Sequence, residues 1–168
     1  SGVYCNMYVD AKKLFLDPTK CYFILYLMIL EVAKYKNKNE IDALISASRN
    51  GANIANIIGW LLDIKVVHCI NLGPKFSLSM QNINKDIRER KKYFYIFDFM
   101  CLGTEVKVLN SILTVKGARL EWGMGIANYI VISHSNKEGV IGKMHTLIDT
   151  KSAGLDYKIA GTKEDICT

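Results

Sequence analysis

The sequence predicts an α/β fold, with a mostly parallel central sheet flanked by helices. Two observations support this prediction. Apolar runs of strand length alternate with longer segments whose apolar residues recur at helical spacing. The runs stay apolar along their length, as parallel strands buried on both faces do. The chain of 168 residues can form one full core, and no repeat or low-complexity linker divides it. We therefore expect a single domain over residues 1–168.

The first predicted elements alternate as this fold requires. The pair Asp17-Pro18 is typical of a helix start, and this helix should run to about Tyr35. Its apolar stretch 22–33 is shorter than the roughly 20 residues that span a bilayer, so we expect a buried helix and no membrane partner. Strands are predicted at 41–48 and 64–72, separated by a turn at 49–51 and a helix at 52–62.

The later elements continue the alternation. A third strand is predicted at 93–100, where aromatic residues crowd a buried run. The following helix, 104–116, should end at Gly117. Residues 119–132 contain a fourth strand with an open register, because two glycines interrupt it, and a last strand is predicted at 155–159.

Three turns should form the ligand site. Ligands of open α/β sheets bind beyond the carboxyl ends of the strands, so the turns 46–51, 70–75 and 98–105 should gather on one edge. The polar segment 75–92 is long for a connection and predicts a lid.

Composition excludes several classes of function. The net charge of +6 is scattered and no nucleic-acid motif accompanies it, so a solvated surface is favoured over nucleic-acid binding. The five cysteines are widely spaced and lack a C-x-x-C pair, which argues against a disulfide framework or zinc site and for a reducing, cytoplasmic compartment. The histidines lack metal-ligand spacing and are interpreted as structural: His68, His134 and His145.

Four segments carry a resemblance to a known family. They are SGVYCNMYVDAKKLFLDP, IDALISASRNGANIA, LDIKVVHCINLGPK and YFYIFDFMCLGTE. In turn they resemble the SG-x-x-S-P-x-Y start, the pyrophosphate loop D-x-V-V-G-x-x-x-G-G-x-x-x-A, the R-K-x-x-K stretch and the phosphoribosyl pyrophosphate signature of the type I phosphoribosyltransferases. Asp42, Gly51 and Ala55 match the loop without a gap. The likeness is greatest to the orotate phosphoribosyltransferases and covers roughly residues 1–135.

The resemblance implies a phosphoribosyl pyrophosphate or nucleotide ligand, Mg²⁺ in an active enzyme, and a homodimer. Backbone N–H groups and Thr hydroxyls would cradle the 5-phosphate at a helix N-terminus. The implied residues are Asp98 and Lys75 for catalysis, with Asp98 also at the metal; Cys101, Leu102, Gly103, Thr104 and Glu105 for the phosphate; and Ser48, Arg49, Asn50 and Gly51 for the pyrophosphate loop. We call residues 98–105 the signature turn.

The signature turn departs from the family pattern. Phe97 stands where the family has the first acid of a pair, and Cys101 and Leu102 stand at two Thr positions. Glu105 follows the retained Thr104 and would repel a phosphate. Arg49 could offset this repulsion by a direct phosphate contact, whereas Ile70-Asn71 replace the family's Arg-Lys pair.

Several alternatives stay open at this point. Asp98 contacts a ribose hydroxyl or Mg²⁺, or it caps the following turn; Thr104 holds phosphate, or it is a plain N-cap. Arg49 and Lys75 contact phosphate or are only exposed bases. Cys101 is more simply a Thr replacement than a nucleophile. Three functions follow: a ligand-binding protein with weak or no catalysis, an active transferase of divergent base specificity, and a regulatory or nucleic-acid-interaction module that reuses the fold.

Overall fold

The computed structural model describes residues 4–5, 11–69, 86–100, 103–128, 139–149 and 159–160. In chain order its elements are β1 (Tyr4–Cys5), α1 (Ala11–Phe15), α2 (Pro18–Asn37), β2 (Ala43–Ser46), α3 (Arg49–Leu62), β3 (Lys65–His68), β4 (Lys92–Met100), α4 (Thr104–Val115), β5 (Arg119–Asn128), a 3₁₀ helix (Gly139–Lys143), β6 (Met144–Asp149) and β7 (Ile159–Ala160).

Five strands form one parallel sheet in the order β3-β2-β4-β5-β6. Strands β1 and β7 pair separately and antiparallel. The predicted α/β class with a parallel sheet flanked by helices is therefore confirmed. Strand β6 was not predicted from the sequence. Of the last strand predicted at 155–159, residues 155–158 lie outside the described part of the chain, and Ile159 begins β7.

The central strand β4 is buried on both faces, which explains its aromatic content. Tyr93, Tyr95 and Phe97 pack on the side of α4. Phe94 and Ile96 pack on the other side, against α2 and α3. Consecutive strand residues point to opposite faces, so a strand between two helical layers needs apolar residues throughout. The prediction that these aromatic residues belong to the core is confirmed.

Helix α2 begins where the sequence predicts but is not a buried helix. Asp17 caps it by accepting a hydrogen bond from the Lys20 backbone N–H at 3.2 Å. Only one face packs on the sheet, through Met28 and Val32, while Tyr22 and Phe23 are 74% and 60% exposed. The expectation of a buried helix was wrong, because the described residues place no layer over its outer face. In the part of the chain that the structure describes, no helix has the length and apolar character to cross a membrane.

Helix α3 begins earlier than predicted. Residues Arg49 to Gly51, expected as a turn, already form its first helical residues. Ser48 is the N-cap and its extended backbone provides the change of direction from β2. The Asn-Gly pair suggested a turn, but a serine cap immediately before it allows the helix to start at once.

Two glycines of β5 fix the strand register that the sequence left open. Gly123 pairs with Tyr95, and Gly125 pairs with Phe97. A Cβ atom on Gly123 would lie 3.1 Å from Tyr95 Cβ, and one on Gly125 would overlap the Phe97 ring. The two glycines therefore do not interrupt β5, and they leave space for the side chains of Tyr95 and Phe97 on the adjacent strand β4.

Candidate functional site

Two of the three expected turns meet at the carboxyl edge of the sheet. The carboxyl end of β2 leads into Ser48 and α3, and the adjacent strand β4 ends beside it after Asp98. Ser48 Oγ donates to Asp98 Oδ1 at 3.0 Å, and Asn50 Nδ2 donates to Asp98 Oδ2 at 2.9 Å. The third turn, 70–75, lies outside the described residues.

Asp98 is held by the start of α3. Ser48 Oγ donates to the carboxylate and also accepts from the Gly51 N–H at 3.0 Å, as an N-cap side chain does. A carboxylate near a helix N-terminus is also favoured by the helix dipole. We call Ser48, Asn50 and Asp98 the Asp98 clamp. Asp98 is thus engaged by two side chains at the start of α3, whereas residues 101–102 of the turn that follows it lie outside the described part of the chain.

Gly51 is required by the close packing behind the clamp. A Cβ atom there would lie 2.7 Å from Ser46 Oγ and from Ser48 Oγ, and 2.8 Å from the Ile96 carbonyl oxygen. One of these atoms is backbone and cannot yield, so only glycine fits at this position. The glycine that matched the family loop thus has a physical role in this chain.

Helix α4 begins one residue earlier than an N-cap at Thr104 would require. Gly103 is the N-cap, with φ 66° and no side chain to accept a hydrogen bond. Thr104 is the first helical residue and is exposed, so its interpretation as an N-cap was wrong. A left-handed backbone at the turn favours glycine and explains why Gly103 precedes the helix.

Glu105 is directed into the structure and pairs with Tyr95. The Tyr95 hydroxyl donates to Glu105 Oε1 at 2.5 Å. Burial raises the pKa of the Glu105 carboxyl; the hydrogen bond from Tyr95 opposes this rise, and the negative charge of Asp98 adds to it. Burial, followed by the charge of Glu105, raises the pKa of the Tyr95 phenol. Tyr95 is therefore a neutral donor at physiological pH.

A pocket of about 300 Å³ lies between the end of β4 and the start of α4. Its lining residues are Tyr95, Phe97, Phe99, Met100, Gly103, Thr104, Glu105 and Val106. Among these described residues Glu105 is the one carboxyl group, and none is Lys, Arg or His. Two unit charges about 4 Å apart interact by about 4 kcal/mol at an effective dielectric constant near 20. A phosphate in this pocket would meet repulsion and no counter-charge from the described lining.

Replacing Glu105 by glutamine should change the pH dependence of stability. Because the folded-state pKa is raised, the folded state binds the proton more tightly than the unfolded state. The wild type should therefore lose stability relative to Glu105→Gln as pH rises from the ordinary value of 4.5 through the raised pKa. Urea denaturation of both proteins across about pH 4 to 8 measures this. Parallel pH profiles would contradict it.

The remaining candidate residues are separated from this pocket or lie outside the described part. Arg49 is exposed on the first turn of α3. Lys75, Cys101 and Leu102 lie outside the described residues. Asp42, which matches the family loop, lies at the amino end of β2 and accepts from the Lys92 backbone N–H at 2.8 Å. It ties two strands together at the edge opposite the clamp.

Two of the three histidines, His68 and His145, lie in the described part of the chain, and His134 lies outside it. His68 Nε2 lies 3.0 Å from Asn56 Oδ1, and His145 stacks on Trp122 with ring centroids 5.6 Å apart. Within the described ranges, no group of three or more His, Cys, Asp or Glu side chains could hold a metal ion.

Tyr95 is the site residue that the sequence interpretation missed. It was assigned to the core with the other aromatic residues of β4. Its hydroxyl, however, reaches Glu105 across the space between strand and helix. Strand periodicity predicts that Tyr95 lies on the same face of β4 as Phe97. Its contact with Glu105 could not be predicted, because the distance between the two residues depends on how α4 packs on the sheet.

Comparison with known proteins supports the fold. No protein-family model matches the chain, and no curated protein matches its sequence. The adenine phosphoribosyltransferase from Thermoanaerobacter pseudethanolicus is 10% identical with a TM-score of 0.66 over 84% of this chain and 87% of that chain. The orotate phosphoribosyltransferase from Aeropyrum pernix is 15% identical with a TM-score of 0.58 over 86% of this chain and 80% of that chain.

A third solved structure has the same architecture and bound ligands. It is the Trypanosoma brucei adenine phosphoribosyltransferase in complex with AMP, pyrophosphate and ribose-5-phosphate, 15% identical with a TM-score of 0.62 over 86% of this chain and 70% of that chain. At sequence identities of 10 to 15%, the structural similarity shows the fold alone. The chain has the fold of the type I phosphoribosyltransferases, as the four sequence segments predict.

Proposed function

We propose that this chain is a phosphoribosyltransferase-fold protein of nucleotide metabolism whose phosphoribosyl pyrophosphate site is degraded. It binds a phosphorylated ribose or nucleotide at the carboxyl edge of the sheet, with weak or no catalysis. The observation that carries the proposal is the pair of carboxylates at this edge: Asp98 is engaged by the clamp, and Glu105 occupies the first turn of α4.

The geometry supports loss of catalysis more than loss of binding. A transferase must stabilise the charge that develops on the departing pyrophosphate, usually with cations or preorganised donors. In the described site both oxygens of Asp98 already accept hydrogen bonds, and the pocket lining holds no cation. The exposed Arg49 at the start of α3 remains able to contact a phosphate beside the clamp, where the helix N-terminus also favours an anion.

Calorimetry on the full chain tests the proposal. AMP, UMP and phosphoribosyl pyrophosphate with Mg²⁺ should include at least one ligand that binds, and pyrophosphate release with adenine or orotate should stay at background. Arg49→Ala should weaken binding of a phosphorylated ligand about tenfold, the effect of removing roughly 1.4 kcal/mol. Lys65→Ala, which removes an exposed cation at the opposite edge, is the matched control. Sustained turnover would overturn the proposal.

The alternative is an active transferase, orotate-type and thus pyrimidine-linked, of divergent base specificity. Asp98, two residues before the end of β4, favours it, because the sequence resemblance aligns this residue with the second acid of the family's pair. The alternative predicts that Asp98→Asn abolishes turnover while the fold survives. Turnover equal to that of the wild type would rule this alternative out.

Compartment and assembly belong to the same proposal. We retain the expectation of a reducing cytoplasm, which rests on the odd number and wide spacing of the cysteines. We also retain a homodimer, which rests on the resemblance, and sedimentation of the full chain measures it.

A further inference from the structure

The outer face of α2 carries an apolar stripe that the candidate ligand site does not use. It consists of Tyr22, Tyr26 and Leu30, spaced four residues apart, with Phe23 beside them. We call these four residues the α2 stripe. We infer that two copies of the chain associate through this stripe, with their α2 helices antiparallel and Tyr26 at the twofold axis. The homodimer that the family resemblance implies thereby receives a surface, and this assignment does not depend on whether a ligand binds.

The α2 stripe lies on the side of the helix that faces away from the sheet. Met28 and Val32, which are fully buried, pack on the sheet from the opposite side of α2. Residues four positions apart lie one above another on a helix, so the stripe forms one continuous surface over about two turns. Tyr26 and Leu30 are 50% and 46% exposed. A helix with apolar residues on all sides is usually covered on all sides, and we therefore expect a partner on this face.

The exposed apolar area is large enough to form the centre of an interface. Tyr22, Phe23 and Tyr26 together expose roughly 350 Å², taking about 200 Å² for a whole aromatic side chain. An apolar patch of a few hundred Å² often marks an interaction site. The apolar surface continues into a groove of about 540 Å³ between α2 and β6, whose lining includes Phe23, Leu27 and Ile148. A standard interface buries about 800 Å² on each partner, so the stripe supplies nearly half of it and suits a micromolar dimer.

The charged groups beside the stripe are arranged symmetrically about its centre. Lys20 pairs with Asp17 before the stripe, and Lys34 pairs with Glu31 near its end. Lys20 and Glu31 are eleven residues apart, close to three full turns, so they lie on one flank of α2. They also lie at nearly equal distances from Tyr26, one on each side of it. The two ion pairs therefore place opposite charges at matching distances from the centre.

A twofold axis at Tyr26 brings these opposite charges together. Antiparallel helices related by such an axis place the same flank of each copy side by side, with the helix ends exchanged. Lys20 of one copy then faces the partner's Glu31, and Asp17 faces the partner's Lys34. Parallel helices would instead oppose each charged residue with its own copy, and like charges disfavour that arrangement. The charge pattern therefore favours an antiparallel second copy as the occupant of this face.

Sedimentation equilibrium of the full chain tests the inference from about 1 to 100 μM, which brackets a micromolar dissociation constant. The wild type should dimerise in this range. Tyr26→Lys should raise the dissociation constant about tenfold or more, because it removes an aromatic contact and sets two like charges against each other at the axis. Val115→Lys places the same charge at an exposed apolar residue of α4, on the other face of the sheet, and should behave as the wild type.

Charge reversal tests the antiparallel register. Lys20→Glu alone and Glu31→Lys alone each set like charges against each other twice in the dimer, and each should weaken dimerisation about fivefold at low salt. The double variant restores opposite charges across the axis and should dimerise at least as tightly as the wild type. Circular dichroism checks that each variant is folded. If Tyr26→Lys fails to fold, the charge-reversal variants decide the result, because both side chains are solvent-accessible.

Three results would overturn the inference. They are a wild type that stays monomeric over the whole range, a Val115→Lys variant that dimerises as weakly as Tyr26→Lys, and a double variant that dimerises no better than the single charge reversals. Calorimetry with nucleotides reports on the ligand site separately. A monomeric chain that binds a nucleotide overturns this inference alone, and a dimeric chain that binds none overturns the proposed ligand binding alone.

Discussion

Gly125→Ala should destabilise the protein by about 1 to 3 kcal/mol, the usual cost of overpacking a core. The new Cβ atom would lie 2.7 Å from Phe97 Cζ and closer still to two other atoms of the ring. A glycine inside a strand ordinarily costs about 0.5 to 1 kcal/mol relative to alanine, so without this ring the same substitution should stabilise. Urea denaturation measures the change in the free energy of unfolding, and a stabilised Gly125→Ala variant would contradict the prediction.

A double-mutant cycle identifies the ring as the cause. Phe97→Ala alone should cost about 3 to 5 kcal/mol, because it empties a fully buried position and removes the stacked contact with Tyr95. In the Phe97→Ala background, Gly125→Ala should cost far less than in the wild type. Equal costs in the two backgrounds would show that Phe97 does not determine the effect. Phe97→Leu offers a milder background if the alanine variant fails to fold.

This packing links the altered signature to the neighbouring strand. Phe97 stands where the resembling family has an acid, and its ring occupies space that Gly125 leaves open. The position is part of the core, 1% exposed, and an acid there would bury a charge beside Tyr95. The glycine in β5 and the buried ring in β4 therefore fit each other, and an aromatic core residue occupies the position at which the resembling family has an acid.

The elements with strong local signals could be predicted from the sequence. Asp17-Pro18 specifies a helix start through local hydrogen bonding and a fixed φ, and the left-handed Gly117 ends α4 as expected. The run 93–100 is apolar along most of its length, which identifies a strand buried on both faces. The meeting of Asp98 with the turn after β2 could also be predicted, because parallel strands present their carboxyl ends to one edge of the sheet.

The features that depend on packing between distant residues could not be predicted. The roles of Gly123 and Gly125 depend on which rings lie on the adjacent strand, so the sequence left their register open. The start of α4 at Thr104 was predicted, but its left-handed Gly103 cap was not, because no spacing rule specifies that backbone conformation. The contact between Tyr95 and Glu105 joins residues ten positions apart through the angle at which α4 meets the sheet.

The Asp98 clamp carries the second large prediction. Hydrogen bonds to charged groups are worth about 1.5 to 3 kcal/mol each, and their losses do not add when one acceptor serves both. Asp98→Ala should therefore destabilise by about 2 to 3 kcal/mol. Asp98→Asn should cost less, because the new amide oxygen can still accept from one of the two donors, Ser48 or Asn50. Asp63→Asn is a control of the same chemistry at an exposed, left-handed position that asparagine tolerates.

Ser48→Ala separates the clamp from any catalytic use of Asp98. It removes the helix cap and one of the carboxylate's donors, so it should cost about 0.5 to 2 kcal/mol for the cap and more for the lost bond. Combined with Asp98→Ala, it should cost at least 0.5 kcal/mol less than the sum of the two single changes. Strict additivity would mean that the hydrogen bond between them contributes nothing. If ligand binding falls in Asp98→Asn but not in the comparably destabilised Ser48→Ala, the carboxylate acts on the ligand directly as well as on α3.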